Sequence, residues 1–398
     1  MSSSTLGDIA RFSALKAAWN KVSRGKLGKL SAERVGGDGH SLASFQRRLD
    51  DELTVLERRL SQGTFQFSPL DPYFIPKQDG KYRVICVPTV ADRVVQRAVL
   101  DSITARQRWM ANPVSFGFVA EGGVERAADA AVKLRRLRPW VFKTDITKFF
   151  DQVDRQLLSE RIARLVRQKS VHPLLLAAIA CEIKPRRSSH VERIKKMGII
   201  EGRGVRQGMP LSPFFANLFL ADFDRACVKR GLHVLRYADD LLCLATTESE
   251  AKGYEEFCIA ELSKLNLAIP KLADATKTHI YSPSVPAEFL GVELAPIANG
   301  RYEVRIGQKQ LDAIKDRFYT LSSLDELKRR NLDITRLGNS LASRRAAYGA
   351  AYDFCANQDH LISCVNDWSK AVLRKVAQQL GIKVDTLAAE GRWFLGLE

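Results

Sequence analysis

The chain has 398 residues, 45% hydrophobic and 27% charged, and carries 62 Lys and Arg against 45 Asp and Glu, a net charge of +17. No window reaches the roughly 18 apolar residues of a membrane span, the start has no apolar signal core, and the seven scattered cysteines form no CxxC pair, so membrane, secreted, disulfide-framed and zinc-ribbon classes are not expected and a reduced cytoplasmic setting is. The basic excess points to a polyanion. Between Arg161 and Arg206 twelve Lys and Arg face three Glu, which holds +9 of the +17 in one stretch.

In chain order, "DIARFSALKAAWNKV" predicts a helix, followed by the Gly-containing loop "VGGDGHS". "LASFQRRLDDELTVLERRLSQG" predicts a second helix closed by Gly63. "YFIPKQDGKYRVICVP" reads as a β-hairpin turning at Asp79-Gly80, and "TVADRVVQRAVLDSITARQRWM" as a helix. "PWVFKTDI" is strand-like, and Asp154 is placed to cap the helix "DRQLLSERIARLVRQ". After Pro213 the pattern is helical, then "HVLRYADDLLCLAT" reads as a hairpin and "SEAKGYEEFCIAELSKLNL" as a helix. "AEFLGVEL" and "YEVRIG" are short strands. From Gln308 onward helix is predicted, with Leu311, Ile314, Phe318, Leu321, Leu324 and Leu327 at spacings of three and four. Neither GxGxxG after a strand nor GxxxxGK[ST] occurs, which excludes the common nucleotide-binding βαβ folds.

The chemistry concentrates in carboxylates. Asp239 and Asp240 stand side by side inside an apolar run that continues as "LLCLA", which argues against a solvated turn. Like charges there need a compensating cation. A phosphoryl transferase supplies the reason: carboxylates from adjacent strands hold two Mg²⁺ about 3.5–4 Å apart. Asp145, at the end of the strand "WVFKTDI" and followed by Phe149 and Phe150, is the third candidate, 94 residues before Asp239.

Three stretches in this order resemble the palm of a reverse transcriptase: "TDITKFFD", "VRQGMPLSPFFANLFLADFD" and "RYADD". Further out, "YFIPKQDGKYRVICVPTVADRVVQRAVL" resembles the fingers of the group II intron type, "KTHIYSPSVPAEFLGVEL" its later palm motifs, "AWNKVSRGK" its N-terminal extension and "RLGNSLASRRAAYGAAYDF" its thumb. The resemblance implies an α+β, right-hand polymerase: a helical extension (1–70), fingers (71–140, with part of 161–206), a palm of antiparallel sheet flanked by helices (141–300) and an all-α thumb (301–398).

It implies roles as well. Asp145, Asp239 and Asp240 would be catalytic and, with the carbonyl of Ile146, would hold two Mg²⁺, for which Mn²⁺ could substitute. Lys77, Arg83, Phe149, Phe150, Gln207, Gly208, Tyr237, Ala238 and Lys277 would surround the dNTP. Phe150 would be the ring that rejects a 2′-hydroxyl, and Lys277 the acid for pyrophosphate. Lys81, Arg186, Arg187, Lys195, Lys196, Arg206, the turn Leu290-Gly291, and Arg344 and Arg345 would contact nucleic acid.

The implied activity is RNA-directed DNA synthesis on a primer 3′-hydroxyl, with an RNA template, dNTPs and a DNA product as partners. The architecture of fingers, palm and thumb alone resembles the defence-associated enzymes that copy a dedicated noncoding RNA. A group II intron-type maturase and a retron-like enzyme are the alternatives. A non-catalytic RNA-binding splicing cofactor is the reading from another class, against which three intact acids argue.

Overall fold

In the computed structural model, the described residues are 6–24, 38–76, 80, 82–104, 112–185, 187–274, 277–394 and 396. Among the described residues the strands form three sheets. β1 (Asp71–Pro76) pairs with β2 (Tyr82–Val87), from Asp71 opposite Val87 to Pro76 opposite Tyr82. β3 (Trp140–Asp145) is central in a four-stranded sheet of order β4-β5-β3-β6, with β4 at Val234–Tyr237, β5 at Asp240–Ala245 and β6 at His279–Tyr281. β7 (Ala287–Phe289), β8 (Val292–Ile297) and β9 (Arg301–Arg305) form a three-stranded meander. Among the described residues no helix is long and apolar enough to cross a membrane.

Two helices are shorter than their patterns predict. The first breaks at Arg11, between Leu6–Ala10 and Phe12–Arg24. The second breaks at Arg48, whose φ of −122° lies outside the helical well, between Leu42–Arg47 and Leu49–Ser61. The run that starts at Gln308 also stops at Tyr319 and restarts at Leu324, because Ser322 and Ser323 turn the chain there. Asp154 does cap its helix, accepting the amides of Gln156 (2.9 Å) and Leu157 (3.1 Å).

Two compact units emerge. The first comprises Met1–Gly123, Lys143–Cys243 and Lys252–His279. Its helix Ser212–Lys229 is buried almost all round, with Phe214, Phe215, Phe219 and Phe223 at 1% exposure or less. This burial explains why an amphipathic pattern is absent there. The helix Phe12–Arg24 packs along Val90–Thr104 in the same unit. The second unit comprises Val124–Phe142, Leu244–Ala251 and Ile280–Glu398. Its core gathers Leu311, Ile314, Phe318, Leu337, Leu361, Val365 and Val372. Within it the fully buried Arg135 has its guanidinium over the Tyr302 ring (4.4 Å) and donates to the carbonyls of Leu294 (2.5 Å), Val285 (2.7 Å) and Ser282 (2.9 Å). These units cut across the expected boundaries: Val124–Phe142, Leu244–Ala251 and residues 280–300, expected in fingers and palm, fall with 301–398 in the second unit.

Candidate active site

The acidic turn is built by the β4–β5 hairpin. Tyr237 pairs with Asp240, so Ala238 and Asp239 are the two turn residues. Such a turn needs positive φ at its first position, and Ala238 supplies it at 56°. A residue with a Cβ is strained there, by about 1 kcal/mol. The strain is held by Arg236, which is fully buried. Its Nη1 donates to the Ala238 carbonyl (3.1 Å) and to Asn217 Oδ1 (3.1 Å). Its Nε and Nη2 grip Asp224 Oδ1 (2.7 Å) and Oδ2 (2.5 Å). Asn217 donates in turn to the carbonyl of Gly117 (2.9 Å). Gly117 must be glycine, because a Cβ there would lie 2.6 Å from the Ala238 amide nitrogen.

Asp145 reaches the same place from the end of β3. The Ile146 amide donates to the Asp239 carbonyl (3.0 Å), which ties the strand end to the turn. One cavity of about 410 Å³ is lined by Asp145, Asp239 and Asp240 together with Arg83, Phe150, Gln207 and Lys277. The carboxylates feel one another. Burial and then the charge of Asp239 push the Asp240 carboxyl up to about 6. Burial foremost, with Asp145 adding to it, also raises Asp239. The Lys277 ammonium pairs with Asp145 Oδ2, while Asp145 Oδ1 is buried with no hydrogen-bond partner among the described residues.

That donor set suits a hard divalent cation: three carboxylates, an orphaned oxygen, and a cation already drawn to it. Among the described residues no three acidic, His or Cys groups are already gathered as a coordination cluster. The acids share a cavity, not yet a common point.

The other predicted residues fall into distinct places. Phe150 and Gln207, with Arg83 and Asp239, also line a second cavity of about 600 Å³. Gly208 lies against β2 at φ 110°, where a Cβ would sit 2.6 Å from the Cys86 carbonyl oxygen, and the Cys86 amide donates to the Gln207 carbonyl (2.6 Å). Tyr237 is half-buried, its ring 6.1 Å from that of Phe118. Arg187, Lys195 and Lys196 are exposed around the helix Ser188–Lys196. Lys77, Lys81 and Arg186 lie outside the described residues.

In the second unit, Leu290 (φ 52°) and Gly291 (φ 83°) make the two-residue turn of β7–β8, both in the left-handed region. There too Arg344 donates to the Arg317 carbonyl, and Arg345 is exposed with a 3.4 Å bond to Asn366.

Two residues are more enclosed than expected. Phe149 lines the cavity of the three acids but is 1% exposed, its ring packed behind Phe150 (5.3 Å) and against Phe219 (6.4 Å). Arg206 lines the same cavity but is 3% exposed and donates to Glu182 (2.6 Å) and the Ile200 carbonyl (2.9 Å). Glu182 also takes Arg155 (2.6 Å) and the Gly202 amide (2.8 Å), so part of the basic run is an internal tie.

The geometry coincides with similarity to known proteins. Residues 75–294 match the family described as Reverse transcriptase (RNA-dependent DNA polymerase). Protein YkfC of Escherichia coli (strain K12) is 30% identical over 221 residues, which are 53% of this chain and 55% of that protein. The Group II intron-encoded protein LtrA of Lactococcus lactis subsp. cremoris is 24% identical over 185 residues, 44% of this chain and 28% of that one. The Retron Ec83 reverse transcriptase of Escherichia coli is 25% identical over 186 residues, 46% and 54% respectively. The chain therefore spans between 28% and 55% of the lengths of these relatives.

Proposed function

The chain belongs to the reverse transcriptase family, and from that premise we propose that it is an RNA-directed DNA polymerase that extends a primer 3′-hydroxyl with dNTPs. The observation that carries this reading is the convergence of Asp145, Asp239 and Asp240 on one cavity with Arg83, Lys277 and Phe150. Members of this family use divalent metal. Here Asp145 and Asp239, with Asp240 beside them and the Ile146 carbonyl, would hold two Mg²⁺. When bound, these supply a lowered pKa at the attacking hydroxyl and neutralise charge on the triphosphate.

The chain's own groups do the rest. Arg83, exposed on β2 with a planar fork, binds triphosphate oxygens. Lys277, already within reach of Asp145, carries the proton for the departing pyrophosphate. Gln207 is held against β2 by its own carbonyl, which fixes the wall on which the new pair rests. Exposed Arg187, Lys195 and Lys196 add sequence-independent attraction for a nucleic-acid backbone, so binding should weaken steeply with salt.

Primer extension on poly-rA/oligo-dT with Mg²⁺ tests the reading. Incorporation of dTMP is the expected result. No incorporation on any template, with the biological role surviving loss of Asp239, would instead favour a non-catalytic RNA-binding protein. Because Phe150 stands where the two cavities meet, Phe150→Ala should raise rNTP use relative to dNTP by roughly tenfold or more, about 1.4 kcal/mol of discrimination. An unchanged ratio in competition assays would remove the gate role.

The setting we favour is antiphage defence with a noncoding RNA template. Intron mobility and retron-like synthesis are the competing settings, and the relatives named above include an intron-encoded and a retron enzyme. Sequencing the nucleic acid that copurifies with the protein separates them. A discrete noncoding RNA points to defence, intron RNA to mobility, and a branched RNA–DNA product to a retron.

A further inference from the structure

The Lys277 side chain is 65% exposed, yet its ammonium stands at Asp145 in the cavity of the three acids. A side chain that free is placed by the backbone beneath it. Thr144 precedes Asp145 on β3, Thr278 follows Lys277 at the entry to β6, and β3 and β6 are neighbours in one sheet. Both threonines are fully buried, and their hydroxyl oxygens lie 2.7 Å apart. The Thr278 hydroxyl also donates to the Pro270 carbonyl at 2.5 Å.

A hydroxyl carries one proton. Thr278 gives its proton to Pro270, so Thr144 donates to Thr278, and the chain of bonds runs one way, from Thr144 through Thr278 to Pro270. Packing alone would be met by valine, which has the same shape; the hydroxyl adds the two bonds. Successive side chains of a strand point to opposite faces. Thr144 shares its face with buried Phe142, and Asp145 points the other way, into the cavity. The threonine pair therefore registers β6 on β3 from the core side, and Lys277, one residue before Thr278, meets Asp145 on the other. A slip of one residue would turn Lys277 inward. The Thr147 amide, donating to the Ala268 carbonyl at 2.8 Å, ties the chain just before Pro270 to the same end of β3.

We propose that Thr278 is a positioning residue: its hydroxyl, held between Thr144 and Pro270, sets where the Lys277 ammonium stands against Asp145. This rests on the polymerase reading above, and names what places the proton carrier at the acidic turn.

The test pairs a kinetic cycle with a binding measurement on the full chain. In single-turnover primer extension, Thr278→Val should lower the rate about tenfold with the dNTP concentration for half-maximal rate unchanged, the scale of a misplaced group. Thr278→Ser should restore most of that rate. In a Lys277→Ala background Thr278→Val should cost nothing further, because the residue it positions is gone. Mn²⁺ is then titrated by electron paramagnetic resonance without dNTP or nucleic acid. Lys277→Ala should tighten Mn²⁺ about threefold, the scale of one exposed ion pair released from Asp145. Thr278→Val should move it the same way, and the double variant no further than Lys277→Ala.

A Thr278→Val loss repeated in full in the Lys277→Ala background overturns the assignment, because Thr278 would then serve fold stability alone. So does a Thr278→Ser protein as slow as Thr278→Val, or Mn²⁺ binding indifferent to either residue. Should Thr278→Val fail to fold, Thr144→Val carries both measurements, since it breaks the link to β3 and leaves the Pro270 carbonyl its donor. Absence of synthesis on every template would refute the polymerase reading, and the Mn²⁺ titrations then decide the positioning on their own.

Discussion

Asp239→Asn is expected to abolish nucleotide incorporation while leaving the protein folded and, without divalent metal at neutral pH, as stable as the parent or more so. The sign follows from the carboxyl itself. Burial first, and Asp145 in addition, raise Asp239 above its ordinary range, so the folded chain binds a proton more readily than the unfolded one. A carboxyl raised on folding costs stability as pH climbs from the unfolded value through the folded one. Asparagine keeps the shape and removes the charge. The same change relieves Asp240, whose rise to about 6 has the Asp239 charge as its second cause. Added Mg²⁺ should then raise the melting temperature of the parent and not of the variant. A variant that unfolds well below the parent, or that still extends a primer at more than about 1% of the parent rate, would show that Asp239 is a structural residue.

Much of this arrangement was readable from the residues. Hairpins announce themselves by alternation and by turn letters, and β1–β2 and β4–β5 follow the predicted runs, whereas "AEFLGVEL", expected as one short strand, folds back on itself as β7–β8. Asp154 was recognisable as a cap because capping depends on amides only two and three residues further along the chain. What could not be read depends on partners distant in sequence. In "RYADD" the tyrosine and the acids attract attention, yet the fully buried residue is Arg236, and its acid lies 12 residues earlier on the helix Ser212–Lys229. Charge counting cannot separate Arg206, tied to Glu182, from exposed Lys195 and Lys196, since all three add one charge to the same run. Phe149 and Phe150 are adjacent letters of one type, and only packing on Phe219 decides which ring turns inward.

The Arg236–Asp224 pair gives the second large effect, and it separates stability from catalysis. Asp224→Ala leaves a fully buried guanidinium without its acid and should cost about 3–5 kcal/mol, a loss readable by urea denaturation. Replacing both partners by apolar residues of similar volume, Arg236→Met with Asp224→Leu, removes both charges at once and should recover most of that loss. Activity should not recover with it. The Ala238 carbonyl would have lost its donor, and the strained φ of 56° one step before Asp239 would have lost its support. Asp239 then departs from its place in the cavity it lines with Asp145, so kcat should fall at least tenfold with the dNTP KM little changed, as for a group that acts through another. Arg236→Lys is the sharper control. One ammonium cannot grip both Asp224 oxygens while reaching Asn217 and Ala238, so charge is conserved and geometry is not. If the apolar double variant extended primers at the parent rate, the pair would be fold stability alone, and the acidic turn would set its own geometry.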